Sequence, residues 1–168
     1  MKKTIRDRSM FTVIACIVLA VCILAPNASV KQVKLAPEME TLVGEECTAA
    51  FYNFFEKVQV WYNGKTVAAD GVMFTQEADF DQVVDIMNDG VTYLDRGETT
   101  LDSLSPAVQE AYEIADVNMA YFMRGVVVQL PNILAQQESY TCDQTVWESI
   151  GTAIDDLVGL YQTAYYTE

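Results

Sequence analysis

Asp81, Asp85 and Asp89 recur every fourth residue, the spacing that stacks three carboxylates on one face of a helix. Like charges at that interval cost stability, so the column suits an oxygen-bound cation such as Ca²⁺, a basic partner, or plain solvation of a polar face. One helix rarely wraps a hard cation unaided, which favours solvation. Arg124 is the single basic residue after position 97 and stands in an apolar stretch. Buried there, it must meet an acid of a neighbouring helix, water, or a ligand carboxylate in a bundle cavity, and the ion pair is the plainer reading. Tyr52, Tyr62, Tyr165 and Tyr166 fall off the main apolar stripes, and tyrosine is a residue that anchors interfaces, so they mark a candidate partner surface or small pocket.

Other chemistry is excluded by what the chain lacks. It has no histidine, which removes the usual general base, the commonest metal ligand and every Ser-His or Cys-His nucleophile. It has no CxxC pair, no phosphate-cradling glycine loop and no EF-hand spacing. A Glu-x-x-His di-iron bundle cannot be built from it. Two carboxylates could still hydrolyse a saccharide, but so acidic a chain supplies such pairs by chance. No catalytic residue and no cofactor is therefore assigned.

Lys2, Lys3, Arg6 and Arg8 outnumber Asp7 ahead of an uncharged run over residues 10–25, and Pro26 ends it. That is the layout of an export segment. As a helix the run spans ~24 Å against a hydrocarbon core of ~30 Å, which favours a cleaved signal. Pro26 and Asn27 spoil the small-residue pattern around Ala25 and Ala28, so retention as an anchor stays open. Residues 1–30 are read as signal peptide or signal anchor and residues 31–168 as one extracytoplasmic domain, secreted or periplasmic.

That domain keeps six basic and 23 acidic residues, net −17. Such a field repels phosphate backbones and anionic lipid, so nucleic acid is excluded and the membrane is met only through an uncleaved N-terminus. Cys47 and Cys142 are its only cysteines, and an oxidising compartment implies that they pair.

The elements that must position these residues are helical. Pro37 with Glu38 and Glu40 starts a first helix, and Val43, Cys47, Ala50, Phe54, Val58 and Trp61 run as one stripe to Asn63-Gly64. Asp79 with Gln82 resembles a capping box for a second helix, whose buried face reads Phe80, Val83, Val84, Met87, Val91 and Leu94. Ser105-Pro106 opens a third, with Val108, Tyr112, Ala115, Met119, Phe122 and Val126 inward, running on to Pro131. Thr141 with Gln144 caps a fourth, striped by Trp147, Ile150, Ile154, Leu157 and Tyr161. Residues 30–36 read as a tether.

The expected fold is an all-α four-helix bundle. In a simple up-down-up-down bundle Cys142 would lie level with the end of helix one, roughly 22 Å of axial rise from Cys47, whereas bridged Cα atoms lie within about 7 Å. A disulfide therefore calls for a crossover between helices one and two. The expected function is non-catalytic binding of a partner protein or small ligand, cationic by charge. A carboxylate-dependent hydrolase acting on a saccharide and a membrane-tethered structural or sensory stub are the alternatives.

Overall fold

The computed structural model describes residues 29–65, 67–68, 71–96, 101–127 and 139–167. Among the described residues four helices form the bundle: α1 (Pro37–Asn63), α2 (Gln76–Leu94), α3 (Pro106–Phe122) and α4 (Gln144–Tyr166). Three short strands, β1 (Val67–Ala68), β2 (Gly71–Thr75) and β3 (Ser139–Cys142), pair antiparallel in the order β1-β2-β3. The expected signal or anchor segment, residues 1–30, lies outside the described residues except for its last two positions, as do Gly97 and Pro131.

Start chemistry and apolar spacing explain α1, α3 and α4. Pro37 and Pro106 occupy first-turn positions, where their missing N–H costs nothing. Ala50, Phe54, Val58 and Trp61 of α1 are buried, as are Tyr112, Ala115, Met119 and Phe122 of α3 and all five stripe residues of α4. Gly44 interrupts α1 at φ +80°, a conformation that glycine adopts without strain.

Three local expectations are corrected. Asp143 caps α4, its carboxylate accepting from the Thr145 N–H at 2.8 Å, while Thr141 belongs to β3. Asp79 does not stand at the helix start: α2 begins at Gln76, and Asp79 is buried in an ion pair with Lys65, just past the end of α1. The buried face of α2 is Asp79, Val83, Ile86, Gly90 and Tyr93, whereas Val91 is 49% exposed and Phe80 37%. That rotation follows from Gly90, where a Cβ would lie 2.5 Å from Met123 Sδ and 3.0 Å from Phe54, so α2 comes down on its glycine.

Contacts between helices fix the topology. Lys57 reaches Asp85 and Asp89, and Lys65 reaches Asp79, so α2 runs back along α1. Tyr93 meets Asp116 while Gly90 meets Met123, which reverses α3 against α2. Trp147 packs on Trp61 and Tyr62, and Tyr161 packs on Phe51 and Phe55, which sets α4 antiparallel to α1. This is up-down-up-down, and the expected crossover is not formed.

The expected disulfide falls with the crossover. Cys47 and Cys142 are both free: the Cys47 thiol donates to Thr92 O at the far end of α2, and the Cys142 thiol donates to Asp143 O beside the sheet. Antiparallel packing puts the start of α4 level with the end of α1, so the two sulfurs lie at different levels of the bundle.

The sheet closes the end where α1 finishes and α2 and α4 begin. Val72 and Phe74 face the core, Phe74 against Trp61 and Trp147, and Met73 between them is 59% exposed.

Candidate functional site

Residues 29–36 are no tether. They run back along α1 as an extended strap whose polar backbone is met by side chains of three helices. Gln59, buried on α1, accepts from the Lys31 N–H at 2.7 Å through its carbonyl and donates to Lys31 O at 3.0 Å through its amide. Gln162 of α4 donates to Gln32 O at 3.3 Å. The Leu35 N–H donates to the Tyr52 hydroxyl at 3.2 Å and the Ala36 N–H to the Tyr112 hydroxyl at 2.7 Å. Val33, Leu35 and Ala36 are buried, and Lys31 pairs with Asp155 of α4 at 2.7 Å. A side-chain amide that bonds both the N–H and the C=O of one residue does the work of a neighbouring strand, and apolar burial on alternate residues completes the resemblance.

The strap walls a groove of about 680 Å³ against α1, from Pro37 to Glu56, and the last turn of α4. Lys31 and Lys34 line one side, Glu40 and Glu56 the other, and Tyr52 and Tyr165 meet in it. The Tyr52 hydroxyl donates to Glu40 at 2.6 Å, and burial together with that carboxylate pushes its pKa up. The groove presents mixed charge, two aromatic side chains and the backbone of the strap.

Of the four tyrosines marked in the sequence, the structure brings Tyr52 and Tyr165 together. Tyr166 lies beyond them, 76% exposed, with its ring edge-on to Tyr165 at 4.8 Å. Tyr62 is at the opposite end of the bundle, stacked on Trp147 at 4.8 Å. They are not one surface.

The aspartate column has an internal answer. Lys57 of α1 sits 2.7 Å from Asp89 and 3.4 Å from Asp85, and those hydrogen bonds, Asp89 first, raise its pKa. Asp81 is exposed at the column's outer end. Among the described residues no group of three or more His, Cys, Asp or Glu is placed to hold a metal ion. Within the chain, Lys57 is the basic neighbour of Asp85 and Asp89.

Arg124, expected in a buried pair or cavity, is exposed at the surface in the wide turn Met123–Val127 that follows α3. Water meets its charge. The partly buried arginine is Arg96, whose guanidinium lies 2.5 Å from Asp116 and 4.9 Å from the Tyr93 ring centroid. Asp116 also accepts from Tyr161 at 2.5 Å and from Tyr93 at 3.1 Å. Burial, with the Asp116 charge nearby, pushes both phenols well above their usual pKa. Around this network Phe51, Phe55, Tyr93 and Tyr112 all pack against the Tyr161 ring.

Set against family models, curated proteins and solved structures, this chain matches none. The site therefore rests on its own geometry. Gln59, which holds the strap, and Asp116, at the centre of the interior network, were the least expected residues, and each left a faint trace in the sequence. Gln59 follows Phe51 and Phe55 at steps of four, a polar residue on a buried line, and Asp116 stands four residues after Tyr112. What they bond could not be read, because the partners lie 28 and 45 residues away.

Proposed function

We propose that the chain is an exported, non-catalytic binding protein whose ligand, a partner protein segment or a small molecule, occupies the groove beneath the strap. The groove itself carries this reading. It offers Tyr52 and Tyr165 as aromatic faces, Glu40 and Glu56 as acceptors for a cationic group, and two lysines that favour ligands carrying both charges. The domain's net −17 adds attraction for basic partners.

The test is a thermal-shift and calorimetric screen of cationic and zwitterionic small molecules and short basic peptides. Ligands of the groove lose affinity in Tyr165→Ala and Glu56→Gln and keep it in Asp81→Asn. Ligands indifferent to the first two variants would place binding elsewhere.

Export is part of the proposal, supported by the basic start and the uncharged run over residues 10–25. One observation favours a tethered form. Only residues 26–28, a reach of about 10 Å, separate that run from the docked strap, so an uncleaved anchor would hold the domain at the bilayer without a stalk. Intact-mass measurement decides: a mature start near residue 30 supports release, and an intact Met1 end supports tethering. Among the described residues no helix is long and apolar enough to cross a membrane.

A further inference from the structure

A second groove, of about 610 Å³, adjoins the one beneath the strap, between the start of α1, the approach to α3 and the end of α4. Pro37 and Tyr165 line both. Pro37 is exposed and Tyr165 half-buried, so what divides the two grooves is a low saddle at the surface and not a wall of the core. Leu104 and Val108, partly buried, give the second groove an apolar floor, while Glu38, Ser105 and Tyr166 stand exposed around it. Tyr166, 76% exposed, meets the Tyr165 ring edge-on, which sets two tyrosines side by side at the saddle.

Much of the charge along this path is uncommitted. Lys31 is held by Asp155, and the Glu40 carboxylate by the Tyr52 hydroxyl. Lys34 and Glu56 of the first groove and Glu38 of the second are exposed, and none of the three enters an ion pair among the described residues.

We infer that the ligand of the strap groove is an extended peptide segment, bearing basic, acidic and apolar side chains, that crosses Pro37 and Tyr165 into the second groove. This rests on the groove being the binding site and selects the protein segment over the small molecule. Size is the first reason. Either groove alone suits a small molecule, whereas the two together exceed the roughly 300–1,000 Å³ that such a ligand fills. Charge is the second. One free cation and two free anions, set along an apolar floor and an aromatic saddle, complement a chain that carries both signs of charge among apolar groups. A polypeptide does so residue by residue, its side chains pointing alternately to either side, and a neutral oligosaccharide does not. Tyrosine is also a side chain on which such segments anchor.

Capped peptides titrated into the full chain by calorimetry test this. They are the tripeptide Lys-Leu-Glu, the heptapeptide Lys-Leu-Glu-Gly-Leu-Leu-Lys that continues it, and the heptapeptide in reverse order, because the grooves do not fix chain direction. One heptapeptide should bind at least about tenfold more tightly than the tripeptide. Ser105→Trp fills the second groove from a side chain that makes no capping bond, and should bring the heptapeptide down to the tripeptide's affinity while leaving the tripeptide unchanged. Should that variant fail to fold by circular dichroism, Glu38→Lys on the exposed first turn of α1 replaces it and should weaken the heptapeptide alone. Tyr165→Ala weakens both lengths. Equal affinity of long and short peptides, a heptapeptide indifferent to the folded second-groove variant, or cellohexaose bound in place of the peptides would overturn the inference and leave the groove as the site. So would small cationic or zwitterionic ligands that bind in the groove when no peptide does. Failure of peptides and small ligands alike would remove the groove reading as well.

Discussion

Tyr161 of α4 donates its hydroxyl to Asp116 of α3 across 2.5 Å, in the middle of the bundle and 45 residues along the chain. The same carboxylate takes the Tyr93 hydroxyl of α2 and the guanidinium of Arg96 just beyond that helix, so one acid meets three largely enclosed donors. Removing it takes away the cation's carboxylate partner. Asp116→Ala should lower unfolding free energy by about 3–5 kcal/mol in urea titration, and the double variant Asp116→Leu with Arg96→Met should recover much of the loss. A loss below about 1 kcal/mol for the single variant would show that the network is not closed in solution.

Stability should fall at high pH. The Tyr93 and Tyr161 phenols are raised well above 10 by burial, and Tyr112 is pushed up to about 12 by burial. Above pH 10 the unfolded chain sheds phenolic protons that the folded chain retains, so the unfolded state gains. The stabilisation is complete below pH 10 and drains away as pH climbs through 12. Denaturant midpoints from pH 8 to 12, read with ultraviolet titration of tyrosinate, check both the direction and the window.

Gln59→Ala leaves the Lys31 N–H and C=O without their partners. A cost of about 1–3 kcal/mol is expected. Hydrogen exchange should accelerate over residues 31–36 and little elsewhere, because the Tyr52 and Tyr112 bonds hold only the strap's far end. Uniform acceleration over the whole chain would mean that the strap and the bundle unfold together.

Gly71 carries the β1–β2 corner at φ +111°, and a Cβ there would lie 2.1 Å from the Cys142 carbonyl oxygen. Backbone cannot step aside as a flexible side chain can. Gly71→Ala should therefore destabilise by about 2 kcal/mol or more and slacken the pairing of β2 with β3. Gly44→Ala, with open space around its Cβ, reports the φ penalty alone.

Both thiols of the domain should alkylate, at different rates. Cys47 is half-buried, whereas Cys142 is buried and its thiol is pushed up by that burial. Peptide mapping after timed iodoacetamide treatment should find Cys47 modified first, and a reductant should leave the melting temperature unchanged. A Cys47–Cys142 cross-linked peptide would restore the bridge that the bundle's topology removes.

The sequence by itself determined the features that depend on near neighbours: four helices, the proline starts of α1 and α3, the stripes of α1, α3 and α4, and the surplus of acid. Each follows from a 3.6-residue period or from a proline constraint within one turn. Tertiary structure decided what hangs on distant partners. Residues 71–75 pair with 139–142, an association that no local signal marks, and residues 29–36 become a strap only because Gln59, Tyr52 and Tyr112 lie where their backbone passes. Helix packing turned α2 onto Gly90 and away from Val91, and set Lys57 beside the aspartate column. The separation of Cys47 from Cys142 has the same origin. Composition implies a pair, but the direction in which each helix runs sets the distance, and direction belongs to the assembled bundle.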